Sequence, residues 1–376
     1  MRPLQMVDLK SQYQKIKSEV DKAVIDVFEN TAFINGPQVQ EFSKNLEKYL
    51  NIKHVIPCAN GTDALQIAMM ALGLQPGDEV ITPSFTYIAT TEVVALLKLK
   101  PVFVEVDPKT FCIDPESLKK AITPRTKAIV PVHLYGHVAK MEEIMKIAAE
   151  HNLYVIEDVA QAIGADYTFN NGTTKKAGTI GTIGCTSFFP SKNLGCYGDG
   201  GAIFTDDDAL AKRLKMVANH GQEKKYYHEV VGCNSRLDTV QAAVLNIKLK
   251  YLDEYISARV KAADFYDKAF ANHPKITTPF RAEYCTHVFH QYTLVLDNVN
   301  RDGLQEYLSS KGIPSMIYYP VPGHKQKMFE SFDLPALDLQ TTDWLTERVI
   351  SLPIHTELDE EQLNFITSSV LEYVNK

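Results

Sequence analysis

No stretch of this chain reaches the roughly 18 consecutive apolar residues that a membrane-spanning helix needs. The segment Met1-Arg2-Pro3-Leu4-Gln5-Met6-Val7-Asp8 carries no apolar signal-peptide core. Both absences lead to the expectation of a cytoplasmic protein without a membrane partner. A basic surplus is missing too: the net charge is -7, the reverse of what a nucleic-acid binder presents. The six cysteines (Cys58, Cys112, Cys185, Cys196, Cys233 and Cys285) are scattered without a C-x-x-C pair, which indicates neither a disulfide framework nor a zinc site. His287 and His290 are three residues apart, but no clustered carboxylate or cysteine accompanies them, so no metal is expected. The glycine runs do not form a strand-linked G-x-G-x-x-G, which leaves a nicotinamide site unsupported. There is no internal repeat and no low-complexity linker.

What remains is an ordinary globular composition, 45% hydrophobic and 23% charged, over 376 residues. That length suits two domains, or one large domain with an appendage. Residues 8–30 place Ile16, Val20, Val24, Val27 and Phe28 at helical spacing, and Val39 to Tyr49 predicts a second helix after the turn Asn35-Gly36-Pro37. Short β-branched runs then alternate with helical stretches. The predicted strands are His54–Cys58, Glu79–Thr82, Val102–Val106, Ala128–Val132, Tyr154–Glu157, Ile183–Phe188 and Ala202–Thr205. The intervening helices are Asp63–Leu72, Ile88–Lys98, Pro115–Ile122, Lys140–Glu150 and Asp206–Val217. Continuous apolar strands alternating with helices predict an α/β fold whose mostly parallel sheet is covered on both faces. From Arg236 to Ala271 one long helical pattern runs. Beyond it, Gln291–Leu296 (strand), Arg301–Lys311 (helix), Ile317–Tyr319 and a helix at Glu360–Val374 predict a small α+β domain. The expected division is a large domain over 1–250 and a small C-terminal domain over 251–376, with the N-terminal helix packed on the latter.

Five stretches carry chemistry. In Thr186-Ser187-Phe188-Phe189-Pro190-Ser191-Lys192, a lysine sits in a turn of aromatic, proline and glycine residues rather than on a solvated face. Desolvation lowers a lysine pKa and makes the amine a nucleophile toward carbonyls. In Ala59-Asn60-Gly61-Thr62-Asp63, a strand end, a glycine and a helix start form either an anion site or a plain helix cap on Thr62 or Asp63. In Glu157-Asp158-Val159-Ala160-Gln161, Asp158 ends an apolar strand, where ligands of open α/β sheets bind; it is either a helix cap or the partner of a buried cation such as a protonated pyridine nitrogen. Phe85 and Tyr87 follow another strand end, as core aromatics or as stacking rings. Arg236, in Asn234-Ser235-Arg236, is either a carboxylate ligand or a surface residue in a capping network. A phosphate cradle, a counter-charge, a stacking ring and a Schiff-base lysine are together the parts that pyridoxal 5'-phosphate (PLP) requires.

At these residues the chain resembles the DegT/DnrJ/EryC1/StrS sugar aminotransferases, PLP enzymes of the aspartate-aminotransferase fold (fold type I). The resemblance runs from Val7-Asp8-Leu9 to the last helix. Its most specific pieces are Asn60 to Leu65, Pro76 to Val80, Glu157 to Gln161, Ser187 to Lys192, Gly198 to Gly201 and Asn234 to Asp238. It implies Lys192 as the Schiff-base lysine, Asp158 on the pyridine nitrogen and Gln161 near the 3'-oxygen. It further implies Gly61, Thr62 and Ser187 on the phosphate, Tyr87 over the ring with Phe85 as the second candidate, and Asn234 reaching the phosphate of a neighbouring subunit in a homodimer. Cys58 to Ile67 and Thr186 to Thr205 look especially like members that aminate a UDP-linked 3-keto-N-acetylglucosaminuronic acid from glutamate, for cell-surface polysaccharide or lipopolysaccharide. One departure concerns the sugar: relatives read His-Tyr-Pro where this chain has Tyr318-Tyr319-Pro320.

The expected reaction is a ping-pong transamination from L-glutamate to a nucleotide-linked keto-sugar, with Arg236, Tyr318 and Tyr319 as substrate contacts. Lys224 and Lys225, in the polar loop after Gly221, are either diphosphate ligands or solvated. Three alternatives stay open at this point: another dTDP- or UDP-linked 3- or 4-keto-6-deoxy sugar as substrate, a PLP-dependent dehydratase (disfavoured because its lysine is replaced by histidine), and a non-catalytic regulator that kept the fold.

Overall fold

The computed structural model describes residues 2–332, 334–335 and 337–376. The chain opens with α1 (Leu9–Glu29), capped by Asp8, whose carboxylate accepts from Ser11 N at 2.9 Å. Helix α2 (Pro37–Leu50) starts with a proline in its first turn and ends on Asn51, which adopts a left-handed φ of 54°.

Seven strands form the central sheet: β1 (His54–Cys58), β2 (Glu79–Pro83), β3 (Lys100–Val104), β4 (Thr126–Ile129), β5 (Tyr154–Asp158), then, beyond a small hairpin of β6 (Asp166–Thr168) and β7 (Thr174–Lys176), β8 (Ile183–Ser187) and β9 (Gly201–Thr205). The spatial order is β1-β9-β8-β5-β4-β2-β3. Only β9 runs antiparallel to its neighbours, so the carboxyl ends of the other six strands lie along one edge. β2 and β9 are buried along their whole length, as strands covered on both faces must be. One covering layer carries Phe42, Leu46 and Leu50 of α2 with Ile144 and Ile147 of α6 (Met141–His151), flanked by α5 (Pro115–Ala121) through Leu118. The opposite layer carries Leu65, Ile67 and Ala68 of α3 (Gly61–Ala71), Val93 and Val94 of α4 (Ala89–Leu96) and Leu214 of α7 (Asp208–Ala218).

The long helical pattern is two helices. α8 (Thr239–Lys250) ends at Tyr251, whose φ of -103° and ψ of 1° leave the helical region, and α9 (Leu252–Ala269) restarts at once. Periodicity continues across the break because both helices bury one face, but in different cores: Leu245 of α8 lies under the large sheet, and Tyr266 of α9 lies in a second core. Ahead of α8, β10 (Gln222–Lys224) and β11 (Tyr227–His228) make an exposed hairpin where a loop was expected. The second core is built on an antiparallel sheet of β12 (Ile276–Thr277), β13 (Tyr292–Leu296) and β14 (Val349–Leu352), covered by α10 (Arg301–Ser310) and α12 (Glu360–Val374). β13 is the central strand, paired with β12 and β14, and Met316 adds an isolated bridge to Ser351 of β14. Helix α11 (Gln340–Arg348) is tied to the large sheet by Glu105, just past β3, whose carboxylate accepts from Thr341 N and Thr342 N, both at 2.9 Å.

α1 itself packs on α8, through Ile16 and Val20 against Val244 and Ile247. Contact with the second core comes from residues before and early in the helix: Leu4 joins that core, and Lys15 pairs with Glu357 at 2.6 Å.

Candidate active site

Four strand ends on the shared sheet edge bring the predicted residues together. β1 runs into Asn60, β2 into Ser84 to Tyr87, β5 ends on Asp158 and β8 ends on Ser187.

At the first of these, Asn60 rather than Thr62 or Asp63 is the helix cap. Its Oδ1 accepts from Asp63 N at 2.8 Å and its carbonyl accepts from Ala64 N at 3.1 Å. That leaves the N–H groups of Gly61 and Thr62 unclaimed at the positive end of α3, and the Thr62 hydroxyl has no partner among the described residues. A Cβ placed on Gly61 would lie 2.6 Å from the Cβ of Ser187, so glycine alone allows the two strand ends to converge. Gly201 serves the same turn from β9: a Cβ there would lie 2.4 Å from the Asn60 carbonyl. Two free N–H groups and two hydroxyls around a glycine suit a phosphate.

Asp158 is buried and no helix follows it, which removes the helix-cap reading. Its Oδ2 accepts from the Thr90 hydroxyl at 2.8 Å and its Oδ1 from Ala160 N at 3.2 Å. Burial pushes its pKa up, and these donors, with Lys192 and His133 nearby, only partly offset that. The neighbouring Glu157 shows the contrast. It points to the other side of β5 and accepts from Gly178 N (2.9 Å), Ile180 N (2.7 Å), Gly181 N (2.6 Å) and His133 Nε2 (2.9 Å). Burial acts against its charge as well, but those donors win and its pKa is lowered. Two consecutive carboxylates thus differ in kind: Glu157 is fully compensated inside the fold, and Asp158 keeps an unmet demand for positive charge.

Lys192 lies in a turn closed by its own N–H to Phe189 O at 2.8 Å. Desolvation lowers its pKa to about 8, against which the Asp158 carboxylate pulls upward. Gln161 is held from both ends: its Oε1 accepts from Tyr135 N at 2.7 Å and its Nε2 donates to Tyr319 Oη at 3.0 Å. Tyr319 reaches it from the segment after Met316, where Tyr135 Oη also bonds the Tyr318 carbonyl. Of the two aromatic candidates, Phe85 is sealed in an aromatic core with Phe111, whereas Tyr87 is 57% exposed and tilts against Tyr319 with ring centroids 6.0 Å apart.

Other predicted residues stand apart. Asn234 is exposed, although its neighbour Ser235 is buried and anchors Ala59 N at 3.0 Å. Arg236 is half-buried and takes part in no cap; α8 begins after Asp238 without a side-chain cap. Lys224 and Lys225 lie on the exposed hairpin with their ammonium groups over Tyr227 and Tyr226, 5.0 and 5.1 Å from the ring centroids.

One site residue was not anticipated as such. His290 is buried, and its pKa is pushed far down by desolvation and by the charges of Lys192 and Arg259. Its segment is placed by Val288 N to Gly136 O (3.0 Å), Gln291 N to Tyr135 O (3.2 Å) and Asn193 Nδ2 to Val288 O (2.9 Å). Nothing in local spacing signals this, because the contacts are made across the fold. His287, its i,i+3 neighbour, instead stacks on Phe289 with centroids 3.9 Å apart.

Taken together, an undercompensated carboxylate, a desolvated amine, an exposed ring and a free helix N-terminus fit PLP. Comparison with known proteins agrees. The model of the DegT/DnrJ/EryC1/StrS aminotransferase family matches residues 14–371. The chain is 46% identical over 369 residues to a UDP-2-acetamido-2-deoxy-3-oxo-D-glucuronate aminotransferase of Pseudomonas aeruginosa, covering 98% of this chain and 99% of that one. It is 45% identical over 370 residues to a protein of Geobacillus stearothermophilus described as a pleiotropic regulatory protein, covering 98% of each. Among solved structures, NtdA from Bacillus subtilis with bound cofactor PMP superposes with a TM-score of 0.89 at 33% identity, over 96% of this chain and 82% of that one.

Proposed function

This chain belongs to the DegT/DnrJ/EryC1/StrS aminotransferase family of PLP-dependent enzymes, and from that premise we propose that it moves an amino group from L-glutamate to C3 of UDP-2-acetamido-2-deoxy-3-oxo-glucuronate. The observation that carries the reading is the convergence on one sheet edge of the buried Asp158 carboxylate, the Lys192 turn and the free N–H groups of Gly61 and Thr62 at the start of α3; desolvation, which lowers the Lys192 pKa to about 8, accords with it. The similarity to the P. aeruginosa enzyme supports the sugar.

When bound, PLP supplies an aldehyde that accepts the amino group and a ring that absorbs the negative charge left when a proton is removed. The chain supplies the rest. Asp158 would hold the pyridine nitrogen protonated. Gly61, Thr62 and Ser187 would hold the phosphate, joined in a homodimer by Asn234 of the partner subunit. Gln161, fixed by Tyr135 and Tyr319, would meet the 3'-oxygen, and Tyr87 would stack on the ring. The Lys192 amine takes the α-proton of glutamate in the first half-reaction, which releases 2-oxoglutarate, and delivers a proton to the sugar carbon in the second. At pH 7 a pKa of about 8 leaves roughly one amine in ten neutral, against about one in three thousand for an exposed lysine. Arg236 is the proposed carboxylate ligand, Tyr318 and Tyr319 border the sugar, and Lys224 and Lys225 are candidates for the diphosphate. The setting is cytoplasmic, in making surface polysaccharide or lipopolysaccharide. No helix among the described residues is long and apolar enough to cross a membrane.

The test is to load the protein with pyridoxamine phosphate, add a panel of UDP- and dTDP-linked 3- and 4-keto-sugars, and follow the cofactor absorbance. Conversion by the 3-keto-glucuronate alone supports the reading. Conversion by a 6-deoxy keto-sugar alone replaces the substrate. A purified protein that binds neither cofactor form revives the regulator, a reading that the Geobacillus relative's description keeps in view.

A further inference from the structure

Asp158 is held by a residue outside the predicted site. Thr90 lies in the first turn of α4, and its hydroxyl donates to Asp158 Oδ2 at 2.8 Å. Both groups are buried. The Thr86 hydroxyl lies 3.4 Å behind it, so the Thr90 oxygen has its own neighbour while its proton goes to the carboxylate. The same turn carries the exposed ring: Thr90 N donates to Tyr87 O at 3.4 Å. One helix start therefore fixes both Tyr87 and Asp158.

A carboxylate has about four acceptor positions. Asp158 uses one on each oxygen, for Thr90 and for Ala160 N. Ala160 is on the same short loop and moves with it, whereas Thr90 is anchored on another element. The titratable groups facing Asp158 are Lys192 on the turn after β8, His133 after β4, Cys185 on β8 and Tyr319 on the segment after Met316. None of them makes a hydrogen bond to the carboxylate among the described residues. Thr90 is thus the sole side-chain donor to Asp158 there.

We propose that Thr90 is a positioning residue for cofactor binding: its hydroxyl orients the Asp158 carboxylate and keeps it ionised, so that the free acceptor positions meet the pyridine nitrogen. The inference rests on the PLP reading above. Removing a donor from an ionised acceptor raises that acceptor's pKa. Binding that needs the anion is then lost at a higher pH than before.

The experiment measures equilibrium binding of pyridoxamine phosphate to the cofactor-free protein from pH 5 to pH 9. This ligand forms no covalent bond to Lys192, so the result does not depend on turnover. In Thr90→Val, which keeps the shape and loses the hydroxyl, affinity is expected to fall roughly tenfold or more, and the acid limb of the profile to move up by about one pH unit. Thr90→Ser is expected to follow the wild type. In an Asp158→Asn background, Thr90→Val is expected to leave the limb where Asp158→Asn put it. A Thr90→Val profile that superimposes on the wild type overturns the inference, as does a Thr90→Ser profile that matches Thr90→Val, which would assign the effect to packing. If the wild type binds no pyridoxamine phosphate, the cofactor reading itself fails.

Discussion

Gln161 Nε2 donates to Tyr319 Oη at 3.0 Å, a bond that joins the loop after β5 to the segment after Met316. It sets the distance between the cofactor side and the sugar side of the proposed site, because Gln161 is pinned behind by Tyr135 N. Tyr319→Phe removes the acceptor and leaves the ring. The expected result is a KM for the keto-sugar raised about three- to tenfold, with kcat for the glutamate half-reaction nearly unchanged. Separate single-turnover assays of the two half-reactions read both.

Gly61→Ala places a methyl 2.6 Å from Ser187 Cβ. Neither strand end can retreat without breaking its sheet pairing, so overpacking is expected to cost about 1–3 kcal/mol. Cofactor affinity is expected to fall more than stability does, because the displaced groups are those proposed to hold the phosphate. Thermal melts with and without PLP separate the two effects.

The amine of Lys192 prefers its neutral form in the folded chain, with a pKa of about 8 against 10.5 unfolded. The folded state therefore binds this proton less tightly than the unfolded state does. Burial destabilises the cofactor-free protein below about pH 8, and the penalty disappears as the pH rises toward the unfolded value. Lys192→Met is expected to stabilise the cofactor-free protein by about 1–2 kcal/mol at pH 7, a value reduced from the full shift because the side chain keeps some solvent contact. That gain shrinks to about a quarter by pH 10 and vanishes above the unfolded value, while turnover is abolished. Denaturant melts at the two pH values provide the measurement.

Glu157 carries the opposite sign. Its pKa is lowered in the fold, so it stabilises the protein above the unfolded carboxylate value, and that contribution is lost as the pH falls through the folded value. Glu157→Gln faces backbone N–H groups with an amide donor and is expected to cost about 3 kcal/mol at pH 7. The variant should also lose part of the acid limb of the stability curve. Equal melting temperatures for variant and wild type across that limb would remove Glu157 from the account.

The large sheet was legible because its strands are short apolar runs between amphipathic helices, and a strand buried on both faces has no other way to appear. The Lys192 turn, the Asp158 strand end and the Gly61 turn were legible for a related reason: each breaks a local rule, placing a charge or a missing side chain where packing alone would put an apolar residue. Periodicity could not find the break at Tyr251, since α8 and α9 both keep a buried face and only the identity of the core changes. It could not rank Phe85 against Tyr87, because exposure is decided by which neighbours arrive. Nor could it give His290 or Thr90 a place in the site. His290 is carried there by the pairings of its segment with Tyr135 and Gly136, and Thr90 by the packing of α4 on α3, β2 and β3. Local chemistry in the chain determined which groups could serve a cofactor; which of them meet was decided by contacts between residues far apart in sequence, and those exist only once the sheet has assembled.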